Sequence, residues 1–153
     1  MGFTRGHDLP ESNEHYTPAW MFRSMGIVFD LDVAAPEGGI EWIPARKCYS
    51  IKDDGLASEW QGRVWMNPPF SKPSPWVEKF IAHNNGIALL VVSKSKWFRD
   101  LWDSADAIMP TPYNLKFERP NEKPRSIAFQ TFLFAFGEEN VQGLRNLAAQ
   151  RIR

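Results

Sequence analysis

Val64-Trp65-Met66-Asn67-Pro68-Pro69-Phe70 is an apolar run that ends in Asn-Pro-Pro-Phe. This is the pattern of a buried strand stopping in a rigid, polar-tipped turn. Each proline fixes φ, lacks an N–H and biases the residue before it toward an extended backbone. The carbonyls of Asn67 and Pro68 are therefore expected to stay out of any helical ladder and remain acceptors. The Asn67 amide oxygen adds another acceptor, and Phe70 offers a flat ring beside them. Together they suit a planar group carrying an exocyclic NH2: the oxygens accept its N–H bonds while the ring stacks on its plane. The same residues would also make a plain proline turn with a core phenylalanine, so the rest of the chain has to discriminate.

The bulk properties restrict the choices. At 153 residues the chain is long enough for one domain with a real core. A hydrophobic content of 43%, with seven Trp and eleven Phe, marks a globular chain. Formal net charge is zero, so any nucleic-acid contact must come from a local basic patch. The single Cys48 excludes an internal disulfide and a cysteine-cluster metal site, and it fits a reducing cytoplasm. His7, His15 and His83 are scattered, so no metal site is expected. No apolar run approaches transmembrane length, and Met1 to Gly6 begins no signal-like segment, so a cytoplasmic protein without a membrane partner is expected.

Working outward from the turn, the spacing predicts an α/β order. Residues 1–14 read as a flexible N-terminal arm and 15–153 as the domain. Thr17 as N-cap, Pro18 in the first turn and Gly26 as the stop predict a short helix with Met21, Phe22 and Met25 inward. Val28 to Ala35 predicts a strand carrying Asp30 and Asp32, followed by the turn Pro36-Glu37-Gly38-Gly39. The carboxyl end of such a strand is the usual ligand edge, where small residues admit a ligand and Asp32 can pair with a cationic amine. Lys47 to Ile51 is a candidate short strand. Asp53-Asp54-Gly55-Leu56 follows at the distance where nucleotide-binding folds hold an acid near the ribose, although it is equally good turn chemistry.

Downstream, Ser74 and Pro75 predict a helix with Trp76, Val77, Phe80 and Ile81 on its apolar side, ending near Asn84. Ile87 to Val92 is continuous apolar sequence, expected of a strand buried on both faces of a parallel sheet. A helix capped by Ser95, a short strand at Ala107–Met109 and a central strand within Ile127–Phe136 follow. Asn114 to Glu118 is expected to pair with that last strand across the loop from Arg119 to Arg125, and Glu138 to Arg153 closes the chain as a helix. The sum predicts a mostly parallel sheet with helices on both faces and a C-terminal antiparallel strand pair.

Motif order then carries a resemblance. Tyr16-Thr17-Pro18-Ala19-Trp20, Phe29 to Ala35, Asp54-Gly55-Leu56 and Val64 to Phe70, with Trp76 to Lys79, Lys96-Trp97-Phe98 and Lys116-Phe117, are similar to the compact phage-type (Dam) adenine methyltransferases. The likeness covers roughly residues 14–136. It implies a single-domain, Rossmann-like fold and S-adenosylmethionine (SAM) dependent methyl transfer to the N6 amine of adenine in DNA. It further implies that Thr17 and Pro18 meet the SAM carboxylate and that Asp32, with Ala34 and Ala35 beside it, holds the methionine ammonium. Asp53 or Asp54, with Leu56, would surround the adenosine, and Asn67, Pro68, Pro69 and Phe70 would clamp the target base. One departure is that the Gly-rich turn many methyltransferases place after the first strand is here Ala34-Ala35-Pro36-Glu37-Gly38-Gly39.

DNA as partner would need a basic surface. Lys72, Lys94, Lys96 and Arg99 follow the strands at the expected ligand edge, and Lys116, Arg119, Lys123 and Arg125 surround the expected hairpin. The clamp chemistry by itself also admits cytosine N4, an RNA base or a protein glutamine as target, and the altered glycine turn admits a SAM- or DNA-binding module without catalysis.

Overall fold

Strands β1 (Leu31–Asp32), β2 (Val64–Met66) and β3 (Gly86–Val91) form a parallel ladder in which Leu31 pairs with Val64, Asp32 with Trp65 and Met66 with Ala88. The computed structural model describes residues 15–113 and 115–150. The expected N-terminal arm, residues 1–14, lies outside the described residues. The remaining elements are helices α1 (Ala19–Met25), α2 (Ser74–His83), α3 (Lys96–Ser104) and α4 (Glu138–Ala149), and strands β4 (Ala107–Pro110), β5 (Phe117–Arg119), β6 (Glu122–Arg125) and β7 (Thr131–Phe136). The main sheet runs β1-β2-β3-β7-β4, and β5 pairs with β6 separately.

The sheet is mixed, which corrects the expectation of a mostly parallel one. β7 lies between β3 and β4 and is antiparallel to both, with Ala88 opposite Phe134 and Ile108 opposite the same residue. A parallel neighbour needs a long crossover. β7 instead enters from the β5–β6 hairpin with no helix before it, and so runs the other way. The expected pairing of residues 114–118 with this strand does not form over 115–118 either, and Asn114 lies outside the described residues. Pro120 and Asn121, the latter at φ 58°, make the tip of a tight turn, so residues read as a loop become β6 and pair with β5. The 127–136 stretch is a central strand as expected, although its regular part begins only at Thr131.

Helices cover both faces because the strands alternate cleanly. Trp65, Ile87, Leu89, Leu133 and Ala135 meet Met21, Phe22 and Met25 of α1 and Val141, Leu144 and Leu147 of α4. Val64, Met66, Ala88, Leu90, Phe134 and Phe136 meet Val77 and Phe80 of α2 and Phe98 and Leu101 of α3. Gly26 ends α1 in the left-handed conformation at φ 68°, as its position predicts, and donates its N–H to the Phe22 carbonyl. Pro18, not Thr17, is the N-cap of α1. Thr17 is fully buried and its hydroxyl finds no hydrogen-bond partner among the described residues.

The long β1–β2 connection contains no helix among its residues and folds back along β1 instead. Asp32 N–H donates to Lys47 O and Tyr49 N–H to Asp32 O, both at 2.9 Å, so the candidate strand at 47–51 is reduced to isolated bridges. These bridges nonetheless cover the free edge of β1. Phe134, fully buried and 5.6 Å from the Phe98 ring, holds the α2–α3 layer to the sheet. Phe134→Ala is expected to cost about 3–5 kcal/mol, read as a lower urea midpoint at unchanged slope.

Candidate active site

The chain leaves β1 and β2 at the same edge of the sheet, and a cavity of about 570 Å³ opens there. That size lies within the range of about 300–1,000 Å³ usual for ligand sites. Asp32, Ala34 and Ala35 come from the β1 end, Asp54 and Gly55 from the following loop, and Asn67 and Pro69 from the β2 end. These sequence-predicted residues are therefore brought together. Thr17, Pro18, Asp53, Leu56, Pro68 and Phe70 do not line this cavity. Gly38 and Gly39 turn at φ 85° and 76°, leaving Ala34, Ala35 and Pro36 as the part of the altered turn that faces it.

Asp32 is the electrostatic centre. It is 3% exposed, and it accepts a long hydrogen bond from the Ala34 N–H at 3.3 Å. No cationic side chain among the described residues pairs with it. Burial raises its pKa from 3.8 to about 7, against the smaller downward pull of the Ala34 N–H. The carboxylate is thus poorly stabilised as an anion until a cation reaches it.

The Asp-Asp-Gly turn divides its labour. Asp53 accepts from the Ser50 N–H at 2.8 Å and the Ser50 hydroxyl at 3.2 Å, which makes it a structural residue of the loop. Asp54, at φ 54°, sits on the cavity wall. Gly55 is sterically required: a Cβ there would stand 2.2 Å from the Val33 carbonyl oxygen and 3.0 Å from the Trp76 ring. Lys79 secures the same turn, donating to Leu56 O at 2.7 Å and Ser58 O at 2.5 Å while lying over the Trp60 ring.

Asn67 is oriented by a contact that the sequence did not disclose. Its Nδ2 donates to the His15 backbone carbonyl at 2.7 Å, so the amide oxygen is the end left to accept. Phe70 turns into a second cavity of about 510 Å³ that it lines with His15, Val91, Arg125, Ile127 and Phe129. The Asn-Pro-Pro-Phe turn is therefore a wall with one cavity on each side. His15, Tyr16, Tyr49, Ser50, Trp65 and Trp76 complete the first cavity, and sequence reasoning did not select them for it. Aromatic residues in that number are ordinary core residues by composition, and nothing in their spacing marks them.

Among the basic candidates, Lys72, Lys94 and Arg99 are exposed beyond the β2 and β3 ends, and Lys116, Lys123 and Arg125 are exposed on the β5–β6 side. Lys96 is engaged by Asp100 one turn on at 2.6 Å. Arg119 departs from the expected surface role: its side chain is 2% exposed and lies 3.6 Å from Glu122, which withdraws it from any solvent-facing patch.

With the geometry in view, the family model described as DNA N-6-adenine-methyltransferase (Dam) matches residues 8–121, about three quarters of the chain. The chain belongs to the Dam family. Over 93 residues it is 36% identical to the DNA N-6-adenine-methyltransferase of Haemophilus phage HP1 (strain HP1c1), covering 54% of this chain and 52% of that relative. Over 89 residues it is 36% identical to the protein of the same description from Escherichia phage T1, covering 53% of this chain and 36% of the relative. The chain thus spans about half the length of the first relative and about a third of the second. The Dam match includes β1, β2, both cavity-lining loops and the Asn-Pro-Pro-Phe wall, and it ends before β7 and α4.

The state of Asp32 is open to direct measurement. Folded Asp32 holds its proton up to about pH 7 whereas an unfolded aspartate releases it near 3.8. The empty protein should therefore lose stability as pH rises through that interval, by an amount on the order of 2–4 kcal/mol. Asp32→Asn keeps the shape without the charge, so it is expected to melt higher than the parent at pH 8 and to flatten the dependence between pH 4 and 7.

Proposed function

We propose that this chain transfers the methyl group of SAM to the N6 amine of adenine in DNA, on a single-domain, Rossmann-like scaffold. The observation that carries the reading is the buried Asp32 carboxylate, without a cationic partner among the described residues, in a cavity whose far wall is an amide oriented to accept. Membership of the Dam family and the descriptions of the phage relatives support it.

The residues fit the cofactor. Asp32 would hold the methionine ammonium, which relieves the cost of ionising a buried carboxylate. Ala34 and Ala35 leave the backbone approachable, and Asp54 would accept from the ribose hydroxyls. The Tyr49 and Trp76 rings on the cavity wall offer apolar faces to the nucleoside. When bound, SAM supplies an electrophilic sulfonium methyl, so the protein's tasks are positioning and electrostatics.

The chain's own residues would do the rest. An adenine has to leave the duplex to reach this wall, and Phe70 provides the stacking face. Asn67 Oδ1, held outward by the His15 carbonyl, accepts one N6–H, and the Pro68 carbonyl accepts the other. Both bonds would fix the two amine protons on the acceptor side and favour a pyramidal nitrogen, localising its lone pair toward the methyl group. The N6 nitrogen would gain the methyl carbon as the sulfonium C–S bond breaks, the sulfur keeping the bonding pair to leave as a neutral thioether, and the methylated amine would then release one proton to water. Exposed Lys72, Lys94, Arg99, Lys116, Lys123 and Arg125 would meet DNA phosphates, giving affinity that falls with salt. Lys96 would contribute less while it serves Asp100.

Labelled-SAM transfer to unmodified DNA, with mass spectrometry of the digested nucleosides, tests the reading. N6-methyladenine is expected; N4-methylcytosine would move the target to another amine, and SAM binding without transfer to any nucleic acid would leave a binding module. Asn67→Ala is expected to keep SAM binding and lose about 10²–10³ in turnover, as loss of a positioned polar group does. Asp32 must ionise to hold an ammonium, so SAM affinity measured by calorimetry should weaken below pH 7, approaching tenfold per pH unit.

A further inference from the structure

The His15 imidazole lies on the face of Phe70, with ring centroids 5.2 Å apart and planes 18° from parallel. Its edge contact with Phe117, at 5.9 Å and 88°, holds it there from the β5 side. A base sandwiched between the two rings would need two stacking separations of about 3.5 Å each, or about 7 Å, which this spacing does not provide. His15 lines both cavities and so stands at their junction. We propose that the His15 ring is an internal stand-in for the target base, and that substrate displaces it from Phe70. The proposal rests on the reading of Asn67 to Phe70 as an amine clamp.

The backbone and side chain of His15 have separable roles. The carbonyl fixes the Asn67 amide at 2.7 Å, and rotation about χ1 moves the ring without moving that carbonyl. The ring can therefore leave while the acceptor stays oriented. The vacated face is taken by whichever planar group stacks better than imidazole. A two-ring purine presents more π-surface than imidazole does, and a one-ring pyrimidine gains less from the exchange. His15 would then impose one displacement cost on every flipped base, so that only a base that stacks better than imidazole is held, while the preference between bases stays with Phe70 and the amine clamp. It would also shield the Phe70 ring from water before substrate arrives.

Steady-state methyl transfer by the full chain tests this with two substitutions of opposite sense. His15→Ala removes the competing ring but keeps the carbonyl, and it is expected to lower KM for adenine-containing DNA about three- to tenfold while leaving the preference for adenine over cytosine unchanged. His15→Phe strengthens the stack and is expected to raise KM by a similar factor. A residue with a merely structural role would not improve substrate binding when truncated. Transfer by the parent chain together with an unchanged or higher KM in His15→Ala would overturn the stand-in while leaving the clamp intact. Absence of transfer by the parent, or full activity in Asn67→Ala, would instead overturn the clamp, and the stand-in with it. A 2-aminopurine placed at the target adenine gives an independent readout: titrated with protein, its fluorescence rise on unstacking from the duplex should be half-complete at a lower protein concentration with His15→Ala than with the parent.

Discussion

The ladder joining Leu31 and Asp32 to Val64 and Trp65 is two residues long, and both strands stop at the same edge. A parallel pair delivers its two chain continuations to one side of the sheet, whereas an antiparallel pair would send them to opposite sides. That geometry is what brings Asp32 and Ala34 across from Asn67 and Pro69, though they are separated by more than thirty residues in sequence. Such a short ladder needs support. The bridges from residues 45–49 on one side of β1 and the Gly55 turn against Val33 on the other supply it. The helix-free connection between the strands is thus the brace of the site as well as part of its wall.

Asp32 shows the usual conflict between stability and function. Its pleat direction, shared with Trp65, buries the carboxyl, and the Ala34 N–H offers it a long bond of 3.3 Å in return. Replacing it with an apolar residue would suit the core better; retaining it makes sense where a cationic ligand completes the ion pair. The opposite choice is visible at Asp53, whose two short bonds to Ser50 serve the loop itself. The two carboxylates thus differ in what surrounds them: Asp53 is satisfied by Ser50, and Asp32 is left for a ligand under the proposed function.

Much of this was legible in the sequence, and the failures have identifiable causes. Strand 86–91, the helices and the buried strand at 131–136 follow from apolar period and from the punctuation at Gly26, Asn84 and Ser95. The direction of β7 was not legible, since periodicity reports burial and says nothing of polarity; the parallel expectation for β3 holds on the β2 side alone. Residues 119–125 looked like a loop because Pro120, Asn121 and Pro124 are turn formers, yet a Pro-Asn tip is short enough to close a hairpin. Asp32 and Asn67 were singled out because ionisable or amide groups at strand ends have few structural reasons to be there, and Asp54 because of its distance beyond Asp32; all three line the first cavity. His15 and Trp76 were not, since a ring on a wall and a ring in a core have the same spacing.

The Asn-Pro-Pro-Phe turn gains its meaning from being a partition. The two prolines hold Asn67 and Phe70 to opposite sides of a rigid segment: the amide faces the first cavity and the ring the second. In the proposed reaction one cavity takes the donor and the other the acceptor, so the reacting atoms would have to meet at the rim between them. An amide on that rim can work only if its oxygen is the exposed end. Asparagine has no intrinsic preference between its two ends, and the His15 carbonyl removes the ambiguity by demanding an N–H donor. The chain immediately before α1 therefore belongs to the chemistry of the β2 turn, and it is tied there a second time by the Tyr16–Glu118 pairing at 2.8 and 2.9 Å. Since β6 carries exposed Lys123 and Arg125, under the proposed function a DNA backbone pressing on that hairpin would act on the same segment that orients Asn67, coupling substrate engagement to the geometry of the acceptor.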